Sequence, residues 1–413
     1  MKSDLLFCAE ALLKQYFSIN CTIQSVDVLS EPERRNVILR LHLDAASKNV
    51  PPTIILKQSV SGEDDEDDND VHARFARDWV GLEFLSQFEA YGHVIPKFYG
   101  GNQAFRFILQ EDLGSQHISL VDALTASNAK EAIAALGRFM QALGRMHAAS
   151  FGHVSEYQRL LKELNPVASN ETVEFQQIYD VLIERLHKSH QALGLTVSPL
   201  LIDEARMVAE KVLLPGPFTV LTHGDICPDN VFDHPSKAKD LQLIDFEWSF
   251  LRSALLDGTY LRMSFPTCWC AKALPKDEIK LLEKIYRQEL MHTMPAAKDD
   301  TLYHEAYLYA CAFWILQQTL HFIPGVVEKD RVGSSGPVPA DSLWKPEENT
   351  VRPRVLARLK SFVEVASKTN KLPNMTYMAG EMLSLLESKW QGTYSLEFYP
   401  AFMSGSDNSS CND

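Results

Sequence analysis

Nowhere do the 413 residues hold an uninterrupted apolar run of about 18, the length a helix needs to cross a bilayer, so no membrane span is expected. Basic residues are also in short supply. The 40 Lys and Arg face 54 Asp and Glu, and a formal charge of −14 argues against nucleic acid or an anionic membrane as the main partner. The N-terminal stretch MKSDLLFCAEALLKQYF has no small-residue cleavage site and carries Asp4 and Glu10 within its apolar pattern, so it reads as an amphipathic helix and not as a signal peptide. Cysteines number only seven, at irregular spacing, which fits reduced thiols in a cytoplasmic chain. Cys268-Trp269-Cys270 has no second pair to complete a zinc site, and no H-x-x-x-H cluster stands elsewhere to support a metal-dependent hydrolase.

What is present is enough apolar sequence, 46% of residues against 23% charged, to bury a core of two or three lobes. The polar chemistry concentrates between Leu221 and Phe250, LTHGDICPDNVFDHPSKAKDLQLIDFEWSF. Asp225 is followed five positions later by Asn230, and fifteen beyond that by Asp245 at the end of an apolar run. This is the order of base, metal-binding amide and metal-binding carboxylate used in phosphoryl transfer from a metal-bound nucleoside triphosphate. Val231-Phe232 and Leu241 to Ile244 are short apolar runs divided by His234-Pro235-Ser236-Lys237, which predicts a hairpin bringing Asn230 and Asp245 side by side. Together they suit Mg²⁺, which takes a few protein oxygens along with water and phosphate. Asp225 then stands ready to accept a proton from an incoming hydroxyl or amine, with His223 bracing the loop.

HGDxxxxN followed by a strand ending in Ile244-Asp245-Phe246-Glu247 resembles the aminoglycoside phosphotransferase and choline kinase group, small-molecule kinases with a protein-kinase-like fold. The resemblance implies an α+β two-lobe architecture: a small N-terminal antiparallel-sheet lobe, residues 1–113, and a larger, mostly helical catalytic and acceptor-binding lobe, residues 114–402, before a disordered tail. It also implies ATP and Mg²⁺ as cofactors and a small-molecule acceptor as substrate. The motifs that carry it span about residues 20 to 260. In the group a further Asp follows near a Leu-Asp-hydrophobic stretch, where Leu256-Asp257-Gly258 stands; Asp257 is either catalytic or a brace for the loop.

Along the chain, Thr22 to Leu29 and Asn36 to Leu43 alternate as strands, with Val37, Leu39, Leu41 and Leu43 on one face. The turn between them, Ser30 to Arg35, occupies the place of a phosphate-covering loop but contains no glycine; Arg34 and Arg35 either touch phosphate or are solvated. The third strand, Thr53 to Lys57, ends in the lysine from which kinases reach the α- and β-phosphates. The acidic block Glu63 to Asp70 is expected to be a solvated loop, followed by a helix from Val71 to Phe88. That helix offers Asp78 and Glu83 as partners for Lys57, and the family's leucine spacing matches Asp78, Leu82 and Leu85. Phe105 to Leu109 is a strand leading into Glu111 and Leu113, the hinge at which the resemblance seats the adenine.

Ala129 to Ala149 is a strong helix whose His147 reads as structural, and Asn170 to Leu214 holds two more helical patterns. Helices are expected over Asp277–Met294, Tyr303–Phe322, Arg354–Ser367 and Met375–Trp390, with a loop from Gly325 to Arg352 lying over the acceptor pocket. Cys311, Trp314, Gln317, Gln318 and His321 share a face that either lines that pocket or packs the core. The sequence thus points to a kinase acting on a small molecule, with a nucleotide-binding protein that has lost transfer as the alternative.

Overall fold

The computed structural model describes residues 2–30, 34–45, 49–62, 67–88, 93–166, 171–236, 241–333 and 349–403. Its first part is α1 (Lys2–Phe17) laid on an antiparallel sheet that starts with β1 (Cys21–Val28), β2 (Asn36–Ala45) and β3 (Thr53–Ser59). After α2 (Asp68–Leu85) the sheet resumes with the hairpin β4 (Phe98–Asn102) and β5 (Phe107–Glu111), giving the order β1-β2-β3-β5-β4. The alternation read from β2 is the burial pattern found: Leu39, Leu41 and Leu43 point into a small core with Leu5, Ala9 and Leu13 of α1 and Ile54 and Leu56 of β3.

The larger part follows: β6 (Ile118–Ser119), α3 (Leu120–Thr125), α4 (Ala129–Ser150), α5 (Val154–Leu164), α6 (Glu171–Leu193) and α7 (Pro199–Leu213) precede β7 (Thr219–Thr222). Then come β8 (Val231–Asp233), β9 (Leu241–Leu243), β10 (Phe250–Ser253), α8 (Ala254–Gly258) and α9 (Lys276–Leu290). The chain closes with α10 (Asp300–Trp314), α11 (Leu320–Val326), α12 (Val351–Ala366) and α13 (Pro373–Lys389). This is the α+β two-lobe fold expected, a small sheet lobe joined to a mostly helical one. Its second core begins earlier than the hinge, since Phe75, Val80, Leu82 and Phe84 of α2 pack with the helices that follow Leu113. No described helix is long and apolar enough to cross a membrane.

Three features differ from the sequence reading. The end of the acidic block is helical: Asp67 caps α2, accepting from the backbone N–H groups of Asn69 and Asp70, and Asp68 and Asp70 sit in a first turn that favours negative charge; residues 63–66 lie outside the described residues. The helix expected over Tyr303–Phe322 is interrupted by a π-helical turn at Ile315–Thr319 and restarts as α11, which holds Pro324. Of the expected 325–352 loop, residues 334–348 lie outside the described residues, as does the tail from residue 404. Finally, Cys227 and Cys268 are joined as a disulfide with Cα atoms 5.3 Å apart, against the expectation of reduced thiols throughout.

Candidate functional site

The site is built where β8 and β9 form the expected hairpin, Val231 opposite Leu243. One step beyond the ladder, Ile244 N donates to Asn230 O at 3.0 Å, which sets Asn230 beside the end of the strand that leads to Asp245. Asn230 Nδ2 donates to Asp225 O at 2.9 Å, so the side-chain oxygen is the atom left for another partner. Asp245 takes a left-handed backbone, φ +71°, and this turn aims the next residues back toward α2. There Phe246 packs on Gly81, where a Cβ would meet Phe246 Cβ at 2.7 Å, and Phe246 N donates to Asp78 Oδ1 at 2.8 Å.

That contact puts Asp78 within reach of the strand lysine. Lys57 Nζ lies 2.7 Å from Asp78 Oδ2 and 2.6 Å from Asp245 Oδ1, with its side chain almost fully buried. Glu83 is engaged elsewhere, accepting from Trp79 Nε1 at 2.7 Å. Burial pulls the Lys57 ammonium toward a lower pKa, but Asp245 and Asp78 more than offset it, so the lysine stays charged. Burial acts on Asp245 in the opposite sense, and the ammonium overrides it to hold this carboxyl below its usual range. Glu247, where protein kinases have the Gly of Asp-Phe-Gly, is caged by Arg35, Arg74 and Asn36, its Oε2 accepting from the last two at 3.2 Å each. This cage ties the start of β2 and α2 to the segment after Asp245. Arg35, read as either phosphate-contacting or solvated, is thus held by a buried carboxylate.

The loop carrying Asp225 is clamped from below. Asp257 is fully buried and accepts from His223 N at 2.6 Å and Gly224 N at 3.2 Å, with His147 Nε2 3.2 Å away. His147 Nδ1 in turn meets Tyr286 OH at 2.7 Å. His223 Nε2 reaches Ile244 O at 2.8 Å, and since a carbonyl only accepts, the ring donates there. Its Nδ1 is buried without a partner among the described residues, and burial lowers its pKa, so His223 is a neutral brace. Gly224 is required on two counts: φ is +80°, and a Cβ would stand 2.1 Å from Trp248 O.

Asp225 itself is pushed up to about 7, chiefly by burial, while a 2.5 Å hydrogen bond from Thr267 Oγ1 to its Oδ1 opposes the rise. A carboxyl titrating there suits a general base near neutral pH. Thr267, Cys268 and Trp269 belong to one loop after α8, and each meets the 225–229 segment. Trp269 Nε1 donates to Asp229 Oδ2 at 2.8 Å, and the Cys227–Cys268 disulfide lies between. Two arginines of α12 hold this loop by its carbonyls: Arg354 Nη1 on Cys268 O at 3.0 Å and Arg358 Nε on Met263 O at 3.0 Å. Sequence reasoning missed Thr267, Trp269 and both arginines. Only Asp229, adjacent to Asn230, carried a local signal.

The hinge residues lie at and just past the end of β5, which runs between β3 and β4. Glu111 ends β5, its N–H donating to Lys97 O at 2.9 Å, and Leu113 O already accepts from His117 Nδ1 at 2.9 Å. The 311–321 stripe is split: Cys311 and Trp314 are buried in the core, where Trp314 Nε1 donates to Leu256 O at 2.9 Å, Gln317 and Gln318 are half-buried and His321 is exposed. A metal ion would have few protein ligands here. Among the described residues no three His, Cys, Asp or Glu side chains converge on one point, and the donor set is one amide oxygen and one carboxylate. That set fits Mg²⁺ completed by phosphate and water, and does not fit a structural zinc.

Against protein-family models, residues 82–298, just over half of the chain, match the ecdysteroid kinase-like family. No curated protein matches the sequence. Among solved structures, a choline kinase from Cryptosporidium parvum is similar at 12% identity over 94% of this chain and 99% of that one, with a TM-score of 0.47. The choline kinase LicA from Streptococcus pneumoniae is 13% identical over 86% and 99%, with a TM-score of 0.42. The gentamicin complex of the aminoglycoside phosphotransferase APH(2")-IIa is 16% identical over 76% and 89%, also at 0.42.

Proposed function

The chain belongs to the ecdysteroid kinase-like family, and from that premise we propose that it is an ATP-dependent small-molecule kinase that phosphorylates a hydroxyl group. The observation that carries the reading is the convergence of Lys57, Asp78 and Asp245 on one buried ion cluster, with Asn230 and Asp225 on the adjoining hairpin and loop.

In this reading Lys57, steadied by Asp78, contacts the α- and β-phosphates, and the hinge around Glu111 and Leu113 receives the adenine. Asn230 and Asp245 would hold Mg²⁺, and the ion would supply neutralisation of phosphate charge. The acceptor oxygen attacks the γ-phosphorus, the bond to the β–γ bridging oxygen breaks, ADP leaves, and the hydroxyl proton passes to Asp225. Asp257, His223 and His147 touch no reacting atom; they hold the loop in place, and positioning with charge neutralisation supplies most of the acceleration.

The family name makes hydroxylated steroids the first acceptors to screen. Incubation with ATP and Mg²⁺, followed by mass spectrometry for an added phosphoryl group, is expected to yield product with the wild type and none with Asp225→Asn. The alternative, nucleotide binding without transfer, draws on the glycine-free turn before β2. It would be favoured by tight Mg²⁺–ATP binding with no product from any acceptor.

A further inference from the structure

Away from these residues, α9, α10 and the end of α12 enclose a cavity of about 690 Å³ that none of the site residues line. Its volume falls in the range of small-molecule sites, roughly 300–1,000 Å³. One wall is a single face of α9, with Lys280, Glu283, Lys284 and Arg287 at helical spacing, while Ile279, Leu282, Tyr286 and Leu290 are buried on the face toward the core. The floor holds two tyrosines, Tyr303 buried and Tyr307 half-buried, with rings 6.5 Å apart at an angle of 31°.

The inner charges are already matched. Arg262 Nη2 meets Glu283 Oε2 at 2.7 Å and its Nε donates to Tyr307 OH at 2.9 Å. Arg287 bonds Asp300 at 2.6 Å while its guanidinium covers the Tyr303 ring at 4.2 Å. The rim is different. Six cationic side chains line the cavity against four carboxylates, in a chain whose overall charge is strongly negative. Lys371 reaches Glu305 at 3.2 Å and Lys280 turns out to Asp277 at 2.9 Å, whereas Lys284 and Lys368 form no ion pair among the described residues, Glu364 one turn from Lys368 being bonded to Lys276 at 2.5 Å. A cationic ligand would be repelled by this rim. An inorganic anion would find the guanidiniums committed and make no use of the tyrosine floor.

We infer that this cavity is a second ligand site, for a small organic anion with a flat fused-ring or aromatic body. The ring system lies on Tyr307 and on the Arg287 guanidinium that covers Tyr303, and Lys284 and Lys368 meet the anionic group.

The test uses 8-anilinonaphthalene-1-sulfonate as probe, titrated into the full chain by fluorescence and calorimetry, beside its uncharged relative N-phenyl-1-naphthylamine. The expected result is one saturable site for the sulfonate, about tenfold tighter than for the uncharged dye. Lys284→Glu combined with Lys368→Glu should weaken it by about tenfold or more, and Lys284→Gln with Lys368→Gln by less. Both lysines are exposed, and an unchanged thermal midpoint in each double variant certifies the fold without relying on nucleotide binding. Saturating ATP with Mg²⁺ should leave the probe in place. Equal affinity in wild type and charge-reversed protein, equal binding of the uncharged dye, or displacement by ATP would each overturn the inference.

Discussion

Replacing Asp225 by Asn should separate stability from chemistry in a pH-dependent way. Burial lifts this carboxyl from 3.8 to about 7 in the folded chain. Between those values the unfolded chain has released the proton while the folded chain still holds it, so stability falls as pH rises through this window and levels off above 7. The shift of about three units, at roughly 1.4 kcal/mol each, corresponds to about 4 kcal/mol of destabilisation at pH 8. Asn has nearly the same shape, keeps an oxygen to accept from Thr267 and never ionises, so it should recover much of that amount. From pH 5 to pH 8 the advantage of Asp225→Asn over wild type should grow by about 3 kcal/mol. Urea unfolding of both proteins at the two pH values measures it. An advantage that is absent, or that shrinks toward pH 8, would refute the claim that a buried, reluctantly ionised carboxylate stands at this position.

Three further outcomes follow from the same contacts. Lys57→Met leaves Asp78 and Asp245 without their shared cation and should cost roughly 3–5 kcal/mol in denaturant unfolding at neutral pH. Asp257→Ala strips the acceptor from two backbone N–H groups at His223 and Gly224 and should cost about 3 kcal/mol, read by the same method, with loss of transfer exceeding the loss of Mg²⁺–ATP affinity. Reducing the Cys227–Cys268 disulfide, which closes a span of 41 residues, should lower stability by up to about 4 kcal/mol, seen as a lower thermal midpoint with dithiothreitol than without. An unchanged midpoint would contradict that contribution.

Much of the architecture was legible because it rests on local periodicity. The alternation of β2, the helical stripe of α4 and the pairing of β8 with β9 each depend on residues close in sequence. β4 escaped notice because Phe98 to Asn102 carries two glycines and no alternation, and β10 because its register is set by pairing with β7, with Phe250 opposite Thr222. The residues that meet in the site divide the same way. Asp225, Asn230 and Asp245 stand out through their spacing around one hairpin. Thr267 and Trp269 reach Asp225 and Asp229 from a loop that Arg354 and Arg358, nearly a hundred residues later, hold by its carbonyls, and a carbonyl acceptor leaves no mark on side-chain identity. The disulfide is silent for a related reason: 41 residues of separation imply no contact until α8 has turned the chain back.

The central claim is most directly tested by calorimetric titration of ATP, with and without Mg²⁺, into the wild type and into Asp245→Ala. The account expects binding that strengthens with Mg²⁺ in the wild type and a loss of that Mg²⁺ dependence in the variant. ATP affinity that is indifferent to Mg²⁺, or a Mg²⁺ effect that survives the loss of Asp245, would contradict it.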